Sequence, residues 1–190
     1  MEDSDAIALI SAAVAKQGGM WADLGAGSGM FSRALAALLG PTGTVYAVDS
    51  NPGALRELDR TAARPPGALV RTIIGDFTGP LDLPPLDGVL VANALHYVPY
   101  ADQPTVVRRI VSLLTEPAPM VVVEYDRRHA NRWVPYPITP AALTALARDA
   151  GLGTPTIVAT RPSRYSGTMY SAVVRRSGML DAGSGLAATD

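Results

Sequence analysis

The stretch from Met20 to Met30, M-W-A-D-L-G-A-G-S-G-M, limits what this chain can fold into more than any other. A short apolar run ends in Asp23. Gly25, Gly27 and Gly29 follow at alternating positions, and residues 31–39 then carry apolar side chains at helical spacing. That order predicts strand, tight turn and helix. Glycines serve where the backbone turns sharply or where a ligand lies against bare main chain. A helix that begins there offers unpaired N–H groups to a polar or anionic group. Two familiar glycine-rich patterns do not fit. A phosphate-cradling loop needs a lysine after its last glycine, and Lys16 is the only lysine in the chain. The dinucleotide pattern G-x-G-x-x-G needs a glycine where Met30 or Ser32 stands.

Elsewhere the chain alternates between strand-like and helix-like segments. A first helix, capped by Ser4 or Asp5, carries Ile7, Ile10 and Val14 on one face and stops at Gly18-Gly19. Apolar runs at 44–48, 69–74, 88–92 and 120–123 predict further strands. Helices are expected over 52–64, 102–114 and 139–150, with Pro52 and Pro140 at first-turn positions. Two last strands, 156–160 and 169–175, are separated by so few residues that an antiparallel pair is expected. The fold class this implies is α/β: a Rossmann-like, doubly wound, seven-stranded sheet, mostly parallel, with an antiparallel C-terminal hairpin. Residues 1–176 form one expected domain, and 177–190, small and polar, read as a disordered tail. Ligands of such sheets bind beyond the carboxyl ends of the strands, where the strand order reverses. Asp23, Asp49, Asp76, Asn93 and Glu124 all fall at expected strand ends.

Composition narrows the functional classes. With 190 residues and 48% hydrophobic content the chain can bury a sizeable core. Its formal net charge of −1 argues against nucleic acid as a partner. Cysteine is absent, which removes disulfides, thiolate metal sites and cysteine nucleophiles together. No apolar run approaches a membrane span. The acidic start, Met1 to Asp5, is unlike a secretory or transit signal, so a cytoplasmic location is expected. Nothing in the sequence sets the oligomeric state.

The pattern D-x-G-x-G-x-G over Asp23 to Gly29 resembles motif I of the class I S-adenosylmethionine-dependent methyltransferases. The likeness extends over about residues 20–125 and is to small enzymes of the ubiquinone and menaquinone biosynthesis-like type. It implies S-adenosyl-L-methionine as cofactor and S-adenosyl-L-homocysteine as product. On this resemblance Gly25, Ala26, Gly27 and Gly29 form the cofactor turn, and Asp23 orients it or the cofactor's amino end. Asp49, with Ser50 and Asn51 beside it, holds the ribose hydroxyls. Asp76, after Gly75, accepts from the adenine amino group while Phe77 covers the ring. Asn93 and Ala94 line the methionine part. Asn93-Ala94-Leu95-His96-Tyr97 lacks the N-P-P-[YF] signature of adenine and amide methylation, so a small-molecule acceptor, anionic or aromatic, is expected.

A general base is needed only if the acceptor must lose a proton, and His96 is placed to be that base. Tyr97, Tyr125, His129, Arg132, Trp133 and Tyr165 are expected to line the acceptor pocket, roofed by the first helix and residues 127–138. No metal is required. Two other readings stay open at this point: an NAD(P)-dependent oxidoreductase on the same sheet, and a module that binds S-adenosylmethionine without turnover.

Overall fold

The computed structural model describes residues 2–14, 17–61, 67–163 and 167–176. The seven strands are β1 (Gly19–Leu24), β2 (Gly43–Asp49), β3 (Leu69–Ile74), β4 (Gly88–Ala92), β5 (Met120–Asp126), β6 (Thr156–Pro162) and β7 (Thr168–Val174). They form one sheet in the order β3-β2-β1-β4-β5-β7-β6. The first five run parallel, and β7 lies antiparallel between β5 and β6. The expected fold class is therefore what forms, with the final strand inserted inside the sheet rather than added at its edge.

Alternation along the strands splits the core into two layers. On β4, Val89 and Val91 face one cluster while Leu90 and Ala92 face the other. The first layer packs under α4 (Gln103–Ser112) and α5 (Pro140–Asp149) through Val106, Ile110, Leu143 and Ala147. The second packs under α1 (Asp3–Ile10) and α2 (Met30–Leu39) through Leu9, Ile10, Leu35 and Leu39. Each such buried Leu or Ile contributes about 1.5–3 kcal/mol relative to exposure. The helix α3 (Pro52–Thr61) sets Leu55 and Leu58 against Ala26 and Ala47, beside the second layer. Among the described residues no helix is long and apolar enough to cross a membrane.

Three local expectations need correction. The first helix starts at Asp3 rather than after a Ser4 or Asp5 cap; Asp5 instead accepts from the Glu2 N–H at 2.9 Å. That helix lies flat on α2, held by an Arg33–Asp3 ion pair at 2.8 Å, and does not roof the acceptor pocket. Strand β5 continues to Asp126 because it pairs with β7 along its whole length, so Glu124 lies inside the sheet with no exposure. The expected tail, 177–190, lies outside the described residues, as do Lys16 and Tyr165.

Candidate active site

The strand order reverses between β2, on one side of β1, and β4 on the other. A crevice opens there at the carboxyl edge, and its floor is the turn after β1. That turn is tied to the neighbouring strand: Gly25 and Ala26 N–H both donate to the Val48 carbonyl, at 2.9 and 3.0 Å. Gly25 allows a close approach, since a Cβ there would stand 2.4 Å from Cβ of Ala94. Gly27, at φ +55°, faces open space, with no atom within 4 Å of where its Cβ would be.

A cavity of about 600 Å³ lies over this turn. Gly25, Gly27, Asp49, Ser50, Asn51, Gly75, Asp76, Phe77, Asn93 and Ala94 all line it, so ten of the positions expected to hold the cofactor come together. Asp23, Ala26 and Gly29 do not line it. Gly29 caps α2 and packs against Leu58, while Asp23 is buried and accepts from the Ser32 hydroxyl at 2.6 Å. Burial pushes the Asp23 carboxyl up to about 7; the Ser32 bond opposes that shift and the Asp49 charge adds to it. Thr78, Ala54, Val98 and Pro99 also line the cavity and were not singled out.

The two exposed-edge carboxylates are fixed by main chain. Asp49 Oδ2 accepts from Gly27 N–H at 2.7 Å and Oδ1 from Asn51 N–H at 2.8 Å. Asn51 caps α3 in turn, accepting from Gly53 and Ala54. Asp76 Oδ1 accepts from the Thr78 N–H and hydroxyl at 2.9 and 2.8 Å. Its Oδ2 has no protein partner among the described residues, so it is free to accept from a ligand.

Beyond Asn93 a second cavity of about 470 Å³ is lined by Asn93, His96, Tyr97, Tyr125, Arg127, Asn131, Trp133 and Val134. Asn93 and Tyr97 line both cavities. Asn93 has φ 53°, a left-handed conformation uncommon outside glycine. Its Oδ1 is buried without a hydrogen-bond partner. A buried acceptor left unpaired costs roughly 1–3 kcal/mol, and strain of this kind gathers where a ligand completes the site.

His96 sits in a short 3-10 turn, Leu95–Tyr97, and is 1% exposed. Its Nδ1 lies 2.6 Å from Oε2 of Glu124, and its backbone N–H donates to Oε1 at 3.1 Å. A carboxylate only accepts, so Nδ1 carries the proton and Nε2 presents its lone pair. The sequence sets Glu124 at an expected strand end but does not announce its pairing with His96, since no local signal links it to a histidine 28 positions earlier.

The loop after β5 is fastened over this pair. Tyr136 N–H donates to the His96 carbonyl at 3.0 Å, and the Tyr170 hydroxyl donates to the Ile138 carbonyl at 2.8 Å. Asn131 Oδ1 closes the loop by accepting from Trp133 and Val134 N–H. Of the acceptor positions expected from sequence, Tyr97, Tyr125 and Trp133 line the cavity. His129 and Arg132 do not: the first is exposed, and the Arg132 guanidinium lies 4.7 Å from the Trp133 ring centre. Arg127 and Asn131 take their place.

Residues 22–116 match the family model described as a methyltransferase domain. Among solved structures, the chain is similar to magnesium protoporphyrin IX methyltransferase from Synechocystis, crystallised with bound S-adenosylmethionine. That match has 18% identity over 92% of this chain and 78% of the other, with a TM-score of 0.68. It is similar to 1,6-didemethyltoxoflavin-N1-methyltransferase from Burkholderia thailandensis, at 23% identity, 93% and 78% coverage and a TM-score of 0.69. It also resembles the CcbJ methyltransferase from Streptomyces caelestis, at 22% identity, 93% and 90% coverage and a TM-score of 0.70. At these identities the likeness is one of fold. No curated protein matches the chain.

Proposed function

This chain belongs to the methyltransferase-domain family, and from that premise we propose that it moves a methyl group from S-adenosyl-L-methionine to a small-molecule acceptor. The observation that carries the reading is Asn93, strained and with an orphaned buried oxygen, at the junction of two cavities. One ligand bound in each cavity would meet there.

The residues over the glycine turn suit the cofactor. Asp49 retains lone pairs for two ribose hydroxyls, and charge-assisted bonds of that kind contribute roughly 1.5–3 kcal/mol each. Asp76 Oδ2 suits the adenine amino group, with Phe77 against the ring. Asn93 Oδ1 suits the cofactor's ammonium. Asp23 supports the turn from behind, through Ser32 at the start of α2. When bound, the sulfonium supplies an electrophilic methyl with a neutral leaving group. The protein has then to align the acceptor, since reacting atoms about 3–3.5 Å apart and in line account for much of the rate.

His96 is the group that would take a proton from an acceptor hydroxyl or acidic carbon, at Nε2. Glu124 holds the ring in the required tautomer and favours the imidazolium as it forms. Tyr97, Tyr125 and Trp133 offer walls for an aromatic acceptor, and Arg127 suits an anionic one. A cytoplasmic setting fits this chemistry. Calorimetric titration tests the premise: S-adenosylmethionine and S-adenosylhomocysteine are expected to bind at micromolar levels. No heat at high micromolar cofactor would overturn it. Methyl transfer to any hydroxyarene in a panel separates an enzyme from a module that only binds.

A further inference from the structure

The acceptor cavity has one sign of charge. Arg127 is its only charged wall among the described residues, and no carboxylate lines it. Glu124 lies behind His96, engaged with Nδ1 and the backbone N–H. Arg127 is half-buried, and its Nε donates to the His129 carbonyl at 2.9 Å, which fixes the direction of the planar fork. No ion pair to a carboxylate is formed by Arg127 among the described residues, unlike Arg33, Arg148 and Arg176. A guanidinium partly withdrawn from water and left without a counter-charge favours an anion, bound in bidentate fashion. The other arginines of the loop do not compete. Arg128 is exposed outside the cavity, and Arg132 lies over Trp133.

We infer that the acceptor is a flat ring system bearing an anionic substituent, and that Arg127 is the residue that selects it. The carboxylate or similar group meets the Arg127 fork, the ring lies along Trp133 and Tyr97, and the atom to be methylated faces His96. A cavity of about 470 Å³ holds one or two fused rings with substituents. This rests on the methyl-donor reading for the identity of the neighbouring ligand, but the charge preference stands on the cavity's own walls.

The test is calorimetric titration of the full chain, with and without S-adenosylhomocysteine. Two matched pairs serve as probes: 3-hydroxy-2-naphthoate against 2-naphthol, and 2-hydroxybenzoate against phenol. The carboxylate of at least one pair is expected to bind at least tenfold more tightly than its neutral counterpart. Arg127→Gln is expected to abolish that ratio while S-adenosylhomocysteine affinity stays unchanged, which also shows that the variant folds. Arg128→Gln is expected to preserve it. Equal affinities in both pairs, a preference that survives Arg127→Gln, or no binding by any of the four probes overturns the inference. Failure of S-adenosylhomocysteine to bind overturns the methyl-donor reading instead, and leaves the titrations without it to decide the charge preference.

Discussion

The cavity over the glycine turn carries Asp49 and Asp76 and, among the described residues, no cationic side chain. The cavity beyond Asn93 carries Arg127 and, among the described residues, no carboxylate. The first is walled largely by main chain and short polar groups, the second by aromatic rings and a loop. Two adjoining chambers of opposite charge suit two ligands of opposite charge. A cationic sulfonium belongs over the carboxylates, and an electron-rich acceptor belongs near the guanidinium. The contrast also divides the labour. On the proposed function, one chamber would hold the donor, and the other has His96, held by Glu124, to face the acceptor.

The largest effect expected from breaking that division comes at His96. In His96→Gln, kcat is expected to fall by about 10²–10⁴-fold, the usual range for a general base. Calorimetric affinity for S-adenosylhomocysteine should be unchanged. Glu124→Gln should give a smaller loss of kcat, because the ring keeps its place but loses the carboxylate that holds Nδ1. If His96→Gln lowers cofactor affinity as much as turnover, the two chambers are not separable.

Asp49→Ala tests the other chamber. Cofactor affinity is expected to fall at least tenfold, roughly 1.4 kcal/mol or more, because the side chain lines the cavity proposed for the cofactor and also holds the Gly27 N–H. Acceptor binding should be untouched. Gly27→Ala should weaken the cofactor several-fold, since the new methyl enters open cavity; strain at positive φ costs about 1–2 kcal/mol of stability.

The smallest effect is one of stability. Asp23 has a folded-state value of about 7, above the unfolded value of about 4. Between those limits the folded chain binds more protons than the unfolded chain, so stability falls as pH rises from about 4 to about 7. Asp23→Asn keeps an acceptor for Ser32 and removes the charge. It is expected to flatten that slope and raise the melting temperature at pH 8 by about 2–4 °C. A steeper pH dependence in the variant would show that the buried carboxyl is held ionised by something else.

That the residues over the glycine turn share one cavity was legible in the sequence because the parts of that cavity are announced locally. A glycine turn follows β1, an aspartate ends β2, and another follows β3. Each belongs to a strand–turn unit recognisable within ten residues or so. The acceptor chamber is assembled across the chain. His96 finds Glu124 only because β4 and β5 pair, and the loop finds His96 through the Tyr136 N–H. Pairings of this kind have no local signature. Asp23 and Gly29 illustrate the converse. Their motif positions read like ligand contacts, yet one is buried against Ser32 and the other packs on Leu58. An acidic residue after an apolar run looks the same whether it points outward or inward.

The placement of β7 ties two distant parts of the chain to one side chain. Tyr170 is the register partner of Glu124, and β7 pairs with β5 on one side and β6 on the other. Without β7, β5 would be an edge strand; with it, the pairing of Met120–Asp126 against Thr168–Val174 sets Glu124 in the interior of the sheet, where it meets His96. The imidazole's surroundings therefore depend on a strand more than seventy positions beyond it.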